Sequence, residues 1–239
     1  MEIDRWRTPG RWLDQFNRTG EKEEPNFDFV ETYRDEMAML PYTSGTTRNP
    51  KAVVHIHNWF YAHLQVAPKV WLELKEGDLA WATAAPGWQK WVWSPFVSTI
   101  GMGATAFVYS GRFDAEKYLR MIQDFKVNVI CCTPTEYRFM AKLNNLSQFD
   151  LFSLRSAVSA GEPLNAQVID MFEKNFGLTV RDGYGQTENT LVVGNLPGMK
   201  VKRVRWGNRF PFTGWKLSMN MAIRVNREKW VISRFKRIR

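Results

Sequence analysis

The sequence predicts an α/β domain in which helices layer a mainly parallel sheet. Three observations point there. From Met37 to Val180, short β-prone runs alternate with helix-like segments, the pattern of strand–helix–strand crossovers. Helix punctuation falls where that alternation needs it, with Pro134 in a first turn and Gly177 just past a last one. Hydrophobic residues make up 44% of the 239, enough for one cored domain, with room for a small appendage.

Residues 1–36 are polar and charged with little periodicity, and are expected to wrap the surface or stay partly unordered. Residues 37–198 carry the domain core. Met39–Tyr42 and Ala52–Ile56 read as β-prone runs flanking a hydroxyl-rich segment. Asn58 is placed to cap a helix reaching about Leu72. Leu79–Ala84 reads as a buried strand broken by Pro86-Gly87, followed by a Trp-rich helix and a strand over Ala104–Tyr109. Tyr118, Leu119, Ile122 and Phe125 line one face of a helix over Asp114–Phe125. Val127–Cys131 is a strand, Pro134–Leu143 a helix, Leu154–Val158 a strand, Asn165–Phe176 a helix, and Thr179–Val180 a short strand. Residues 199–239 break this order and form a third segment.

Three runs carry chemistry. Residues 42–51 read Tyr-Thr-Ser-Gly-Thr-Thr-Arg-Asn-Pro-Lys. The hydroxyls of Thr43, Ser44, Thr46 and Thr47 can donate to anionic oxygens, and Gly45 lets backbone N–H groups approach a ligand. Lys51 adds a mobile positive charge, so the run suits a polyphosphate. It is not a Walker A loop, because the second glycine and the Ser/Thr after the lysine are missing. Alone, it also reads as an ordinary Ser/Thr-rich hairpin. The second run, Asp182-Gly183-Tyr184-Gly185-Gln186-Thr187-Glu188, follows Leu178-Thr179-Val180. That placement predicts a loop leaving a strand, where open α/β sheets bind nucleotides. The third is Ser159-Ala160-Gly161-Glu162-Pro163-Leu164.

Other features exclude function classes. Two adjacent cysteines, Cys131 and Cys132, form no disulfide framework, and no Cys/His spacing suggests zinc. His55, His57 and His63 lie close in sequence and read as surface or supporting histidines ahead of a metal site. No apolar stretch follows a basic start, and the apolar region 92–109 is too short and polar to span a membrane. A cytoplasmic protein is expected. Lys and Arg total 33 and Asp and Glu 24; residues 199–239 hold 13 and one of these, a local +12, leaving −3 for the first 198 residues. A basic, aromatic-dotted segment is one footprint of a nucleic-acid binder. Six of the 11 tryptophans fall between positions 59 and 93, and clustered aromatics usually build core.

The three runs, in this order, resemble the signature of the AMP-binding (adenylate-forming) acyl-CoA synthetases, over roughly residues 38–200. Gly87-Trp88 and the Gly-Glu-Pro triplet are most similar to the acetate-to-medium-chain members. The resemblance implies part of the N-terminal domain of the adenylate-forming fold. It implies a ligase that joins a carboxylic acid to ATP, then transfers the acyl group to CoA, with Mg²⁺ as cofactor. The hydroxyl run with Lys51 would hold the β/γ end of ATP. Thr187 would contact the α-phosphate and Glu188 would hold Mg²⁺, these two being the candidate catalytic residues. Tyr184, with Asp182, Gly183 and Gln186 around it, would lie beside the adenine of ATP or AMP, and Gly161, Glu162 and Pro163 would line its other side. Trp88 and Gly185 would border the acyl pocket. Acetate-specific relatives carry a bulky Trp where this chain has Gly185, so a medium or branched acid is favoured.

Departures from the family pattern also carry expectations. Arg48 stands where relatives carry glycine, and Ala52 where many do. Near residue 205, relatives read Ser-Met-Gly-Lys-Pro-Phe; a codon string for that peptide read one base later yields the Arg-Trp-Gly-Asn-Arg-Phe of residues 205–210. The basic segment then reads as out-of-register translation, without specific nucleic-acid binding, and is expected to stay off the sheet. The family's ribose-binding aspartate, hinge and C-terminal catalytic lysine have no counterpart here. The expectation is a truncated synthetase retaining partial nucleotide binding, with a non-catalytic nucleotide-binding or interaction module as the alternative.

Overall fold

The computed structural model describes residues 30–43, 50–85 and 87–199, and the main chain of 208–209. Contacts divide the chain into Met1–Tyr33 and Arg34–Arg239, and every element below belongs to the second unit.

Two small antiparallel pairs come first. β1 (Met37–Met39) pairs with β4 (His55–Ile56), and β2 (Tyr42–Thr43) with β3 (Lys51–Ala52). α1 (His57–Val66) then begins without a side-chain cap. Its first N–H groups are taken by carbonyls of the preceding segment instead, His57 by Glu36 at 3.1 Å and Asn58 by Arg34 at 2.9 Å. Asn58 is therefore inside the helix and is not its cap. A wide π-type turn (Ala67–Leu72) extends the helix to Leu72, as the sequence predicts.

Among the described residues a seven-stranded sheet forms the centre, in the order β11 (Asn208–Arg209), β10 (Leu191–Gly194), β9, β8, β7, β5, β6. β5 (Leu79–Ala82), β6 (Thr105–Phe107), β7 (Val129–Cys132), β8 (Ser156–Ala160) and β9 (Arg181–Gly185) are parallel. Between them run α2 (Gln89–Trp91), α3 (Thr99–Met102), α4 (Ala115–Asp124), α5 (Pro134–Ala141) and α6 (Ala166–Phe176). The mainly parallel α/β reading holds. Caps explain the clean helix starts: Asp114 accepts from Lys117 N–H, and Thr133 and Glu136 close a reciprocal capping box ahead of Pro134.

The sheet separates two apolar clusters. Adjacent residues on one strand serve opposite faces, as the two-residue period requires. Cys132 joins Leu119, Ile122, Tyr137 and Phe172 on one side, while Cys131 joins Val66, Trp71 and Val158 on the other. Both cysteines are buried free thiols whose pKa values burial pushes up.

Two expectations need correction. Asp182, Gly183, Tyr184 and Gly185 lie within β9 and not on a loop leaving it. Glycine and aspartate are poor strand formers, but β9 is paired on both sides, with β8 and with β10 (Leu191–Gly194), and that pairing overrides local preference. The expectation that the basic segment stays off the sheet fails at Asn208–Arg209. There β11 pairs antiparallel with Gly194 and Val193 of β10. Main-chain pairing asks little of side-chain type. The remainder of 199–239 beyond Met199, and residues 1–29, lie outside the described residues.

Candidate functional site

Parallel strands that share one direction end at one edge. The segments after Ala82 of β5, Cys132 of β7, Ala160 of β8 and Gly185 of β9 all leave the carboxyl edge of the sheet. Two of the three chemistry-bearing runs, and the Trp-rich segment, are therefore neighbours for topological reasons. Ser44, Gly45, Thr46, Thr47 and Arg48 lie outside the described residues. Their flanks do not: Thr43 and Lys51 face one another across the β2–β3 pair, with Lys51 exposed.

After β9, residues 186–189 form a tight turn. Gln186 N–H donates to Asn189 Oδ1 at 3.0 Å, and Asn189 N–H returns to the Gln186 carbonyl at 3.1 Å. Thr187 and Glu188 occupy its tip. Glu188 is exposed and has neither hydrogen bond nor ion pair among the described residues. Its charge acts on its neighbours: burial, and after it Glu188, pushes the Tyr184 phenol pKa up, so Tyr184 stays neutral. A carboxylate exposed at a turn tip is the hard oxygen donor that Mg²⁺ takes alongside phosphate and water oxygens. No group of three His, Cys, Asp or Glu stands ready for a metal among the described residues.

The Gly161–Leu164 loop is tied to β9, the strand that leads into this turn, through Asp182. Its Oδ2 accepts from Leu164 N–H at 3.2 Å and its Oδ1 from Gly183 N–H at 2.9 Å. Asp182 is buried, so it acts as the strut between two motif segments. Gly161 has φ +110°, a backbone conformation that side-chain-bearing residues rarely adopt. Glu162 lies at the surface, accepting from Thr135 Oγ1 at 2.9 Å and pairing with Arg138 at 3.1 Å. Pro163 completes this loop.

Gly183 and Gly185 are explained by space. A Cβ on Gly183 would meet Trp71 at 2.7 Å, and one on Gly185 would meet the Thr190 carbonyl oxygen at 2.6 Å. The room beside Gly185 is thus filled by β10's own main chain. Trp88 is 70% exposed. It is Trp93 that packs inward, 5.3 Å from Trp59 and 5.5 Å from His63 between ring centroids.

Sequence reasoning missed several contributors. Lys90 donates to the Ala160 carbonyl at 3.4 Å, joining α2 to the end of β8. His55 and His63 are not surface residues but are 3% and 1% exposed. His55 Nε2 donates to the Thr187 carbonyl at 2.6 Å, and His63 bonds Thr190 Oγ1 at 2.7 Å. Trp59 Nε1 donates to the Asn189 carbonyl at 3.1 Å. Trp59 and His63, four residues apart in α1, share one helical stripe, which was the available signal; His55 precedes the helix, in β4.

The model of the family described as AMP-binding enzyme matches residues 6–229. The chain belongs to the AMP-binding enzyme family. It is 59% identical over 191 residues to the uncharacterized acyl–CoA ligase YtcI of Bacillus subtilis, covering 80% of this chain and 36% of that protein. It is 40% identical over 183 residues to the mouse mitochondrial acyl-coenzyme A synthetase ACSM3, covering 76% of this chain and 31% of that one. Among solved structures, the anthranilate CoA ligase AuaEII in complex with anthranoyl-AMP superposes with a TM-score of 0.76 at 28% identity, covering 84% of this chain and 39% of that one. The chain thus spans about a third of the length of these relatives. The acyl-CoA synthetase family and the adenylate-forming fold are established, with the chain covering part of that fold.

Proposed function

We propose that this chain carries the nucleotide-binding part of an acyl-CoA synthetase site, which activates a carboxylic acid with ATP as an acyl-adenylate for transfer to CoA. One observation carries the reading: the Gly161–Pro163 loop and the Thr187–Glu188 turn leave the carboxyl edge of adjacent parallel strands, β8 and β9, and Asp182 of β9 ties the end of that loop to its own strand. Nucleotides bind at such edges.

Adenylation asks the protein mainly to position reactants and neutralise charge. Lys51, beside Thr43, neutralises the β/γ end of the triphosphate. Thr187 donates its hydroxyl to the α-phosphate. Tyr184 and the Gly161–Pro163 loop flank the adenine. Glu188 is the carboxylate that would hold Mg²⁺, which supplies charge neutralisation at the phosphates. Trp88 borders the carboxylic acid; the ligases of similar sequence include a 4-hydroxybutyrate–CoA ligase of Metallosphaera sedula, 39% identical over 193 residues. Full turnover is proposed for the longer unit of such relatives. A non-catalytic nucleotide-binding module is the second reading.

Calorimetry on the chain tests this. Mg²⁺-dependent binding of ATP and AMP is expected, with Lys51→Ala weakening ATP more than AMP. Equal loss for both nucleotides would place Lys51 away from the β/γ-phosphates, and no binding by the parent chain would sink the reading.

A further inference from the structure

Three side chains from one short segment reach across 127 to 132 residues of sequence to the tip and exit of the 186–189 turn. His55 takes the Thr187 carbonyl, Trp59 the Asn189 carbonyl and His63 the Thr190 hydroxyl. The rings also support one another. His55 and Trp59 lie 4.5 Å apart between centroids, and Trp59 stacks on His63 at 5.0 Å and 12°. Trp93 closes the stack from the side.

The proton positions follow from the partners. A carbonyl only accepts, so His55 Nε2 carries its proton toward Thr187. The Ser98 hydroxyl donates to the Trp93 carbonyl at 2.6 Å, so toward His63 it can only accept. His63 Nε2 therefore donates to Ser98 Oγ at 3.2 Å. In the neutral ring His63 Nδ1 is then a bare lone pair, and it accepts from Thr190 Oγ1–H at 2.7 Å. The result is a one-way chain, Thr190 to His63 to Ser98 to the Trp93 carbonyl. It needs a neutral imidazole, and burial, pushing the His63 pKa down to about 4, favours that form.

We propose that His55, Trp59 and His63 are positioning residues that fix the 186–189 turn, so that Thr187 and Glu188 meet the nucleotide in one geometry. Pinning the carbonyls of residues 187 and 189 leaves Glu188, between them, exposed. The same segment begins at Lys51, since β3 runs into β4 and α1. One continuous stretch of chain thereby carries Lys51 and grips the turn bearing Thr187. This rests on the nucleotide reading above for its ligand, but not for the grip itself.

The test uses the chain and four variants. His55→Phe and His63→Phe remove the polar grip, and His63→Gln restores an acceptor and a donor. Trp59→Phe keeps a ring and loses only the bond to Asn189, so it guards against variants that fail to fold. Hydrogen exchange of the 186–191 peptide is read against that of Val129–Cys132 at the centre of the sheet, and Mg·ATP binding is read by calorimetry. Loss of one such bond predicts about tenfold faster exchange at 186–191, with the β7 peptide unchanged. Mg·ATP affinity is expected to fall about as much, and His63→Gln to stay near wild type. Unchanged exchange at 186–191 in the Phe variants overturns the proposal. So does acceleration shared equally by β7 without rescue by His63→Gln, which marks a merely structural role. If the parent chain binds no Mg·ATP, the nucleotide reading fails by itself, and the exchange arm still decides whether the grip exists.

Discussion

His63 gives the pH dependence of stability a specific source. Its imidazole is 1% exposed, and burial lowers its pKa from 6.5 to about 4 in the folded chain. The unfolded chain binds a proton below about pH 6.5, while the folded chain declines it until about pH 4. Protons bound only by the unfolded state favour unfolding. Stability is therefore complete above pH 6.5 and falls as pH drops toward 4. With about 1.4 kcal/mol per pKa unit, the loss is roughly 2 kcal/mol at pH 5 and about 3 kcal/mol below pH 4. Carboxylates add their own acid sensitivity, so the useful quantity is a difference. Urea unfolding of the chain and of His63→Gln, at pH 7.5 and pH 5, isolates it. The parent chain should lose about 2 kcal/mol more than the variant between these two pH values. Equal losses would show that His63 is solvated or already protonated, and would refute the buried neutral imidazole.

Two further outcomes follow from packing and charge. Gly185→Ala forces a Cβ to 2.6 Å from the Thr190 carbonyl, a main-chain atom that cannot swing away. It should cost about 1–3 kcal/mol, a fall of several degrees in Tm by scanning fluorimetry; an unchanged Tm would mean that β9 and β10 are not closely paired there. Arg181 is buried against Glu73 at 2.9 Å, the Trp71 carbonyl at 2.8 Å and Ser156 Oγ at 2.6 Å. Because Glu73 is one-third exposed, Arg181→Met should cost less than a fully buried pair, about 2–4 kcal/mol in urea unfolding, and a loss below 1 kcal/mol would contradict the network.

Local signals made much of the fold legible. Asp114, Pro134 and Gly177 mark helix ends because caps act on the nearest turn, and the structure places α4, α5 and α6 there. Strand edges were less legible, since pairing partners lie far along the chain. The Thr179–Val180 run is followed by β9 at Arg181–Gly185, where two neighbours hold glycines in a strand. Alternation set the Asp182 run beside a strand; that it shares a sheet edge with the Gly161 loop depends on the pairing of β8 with β9, which lies beyond local pattern. The grip of His55, Trp59 and His63 could not be read either, because His55 lies in β4 ahead of the helix, and the four-residue spacing of Trp59 and His63 says that they share a stripe but not what they touch. Gly185 shows the limit of analogy: a missing side chain suggested room for an acyl group, whereas the space belongs to Thr190.

The central claim is that a nucleotide sits at the carboxyl edge of β8 and β9. Photolabelling the chain with 8-azido-ATP and Mg²⁺, followed by peptide mapping, tests it most directly. Label is predicted on peptides holding Gly161–Pro163 and Tyr184–Glu188, competed by unmodified ATP. Label confined to the +12 segment 199–239 and dispersed by salt would contradict the account, and would make the chain a polyanion binder through its basic segment.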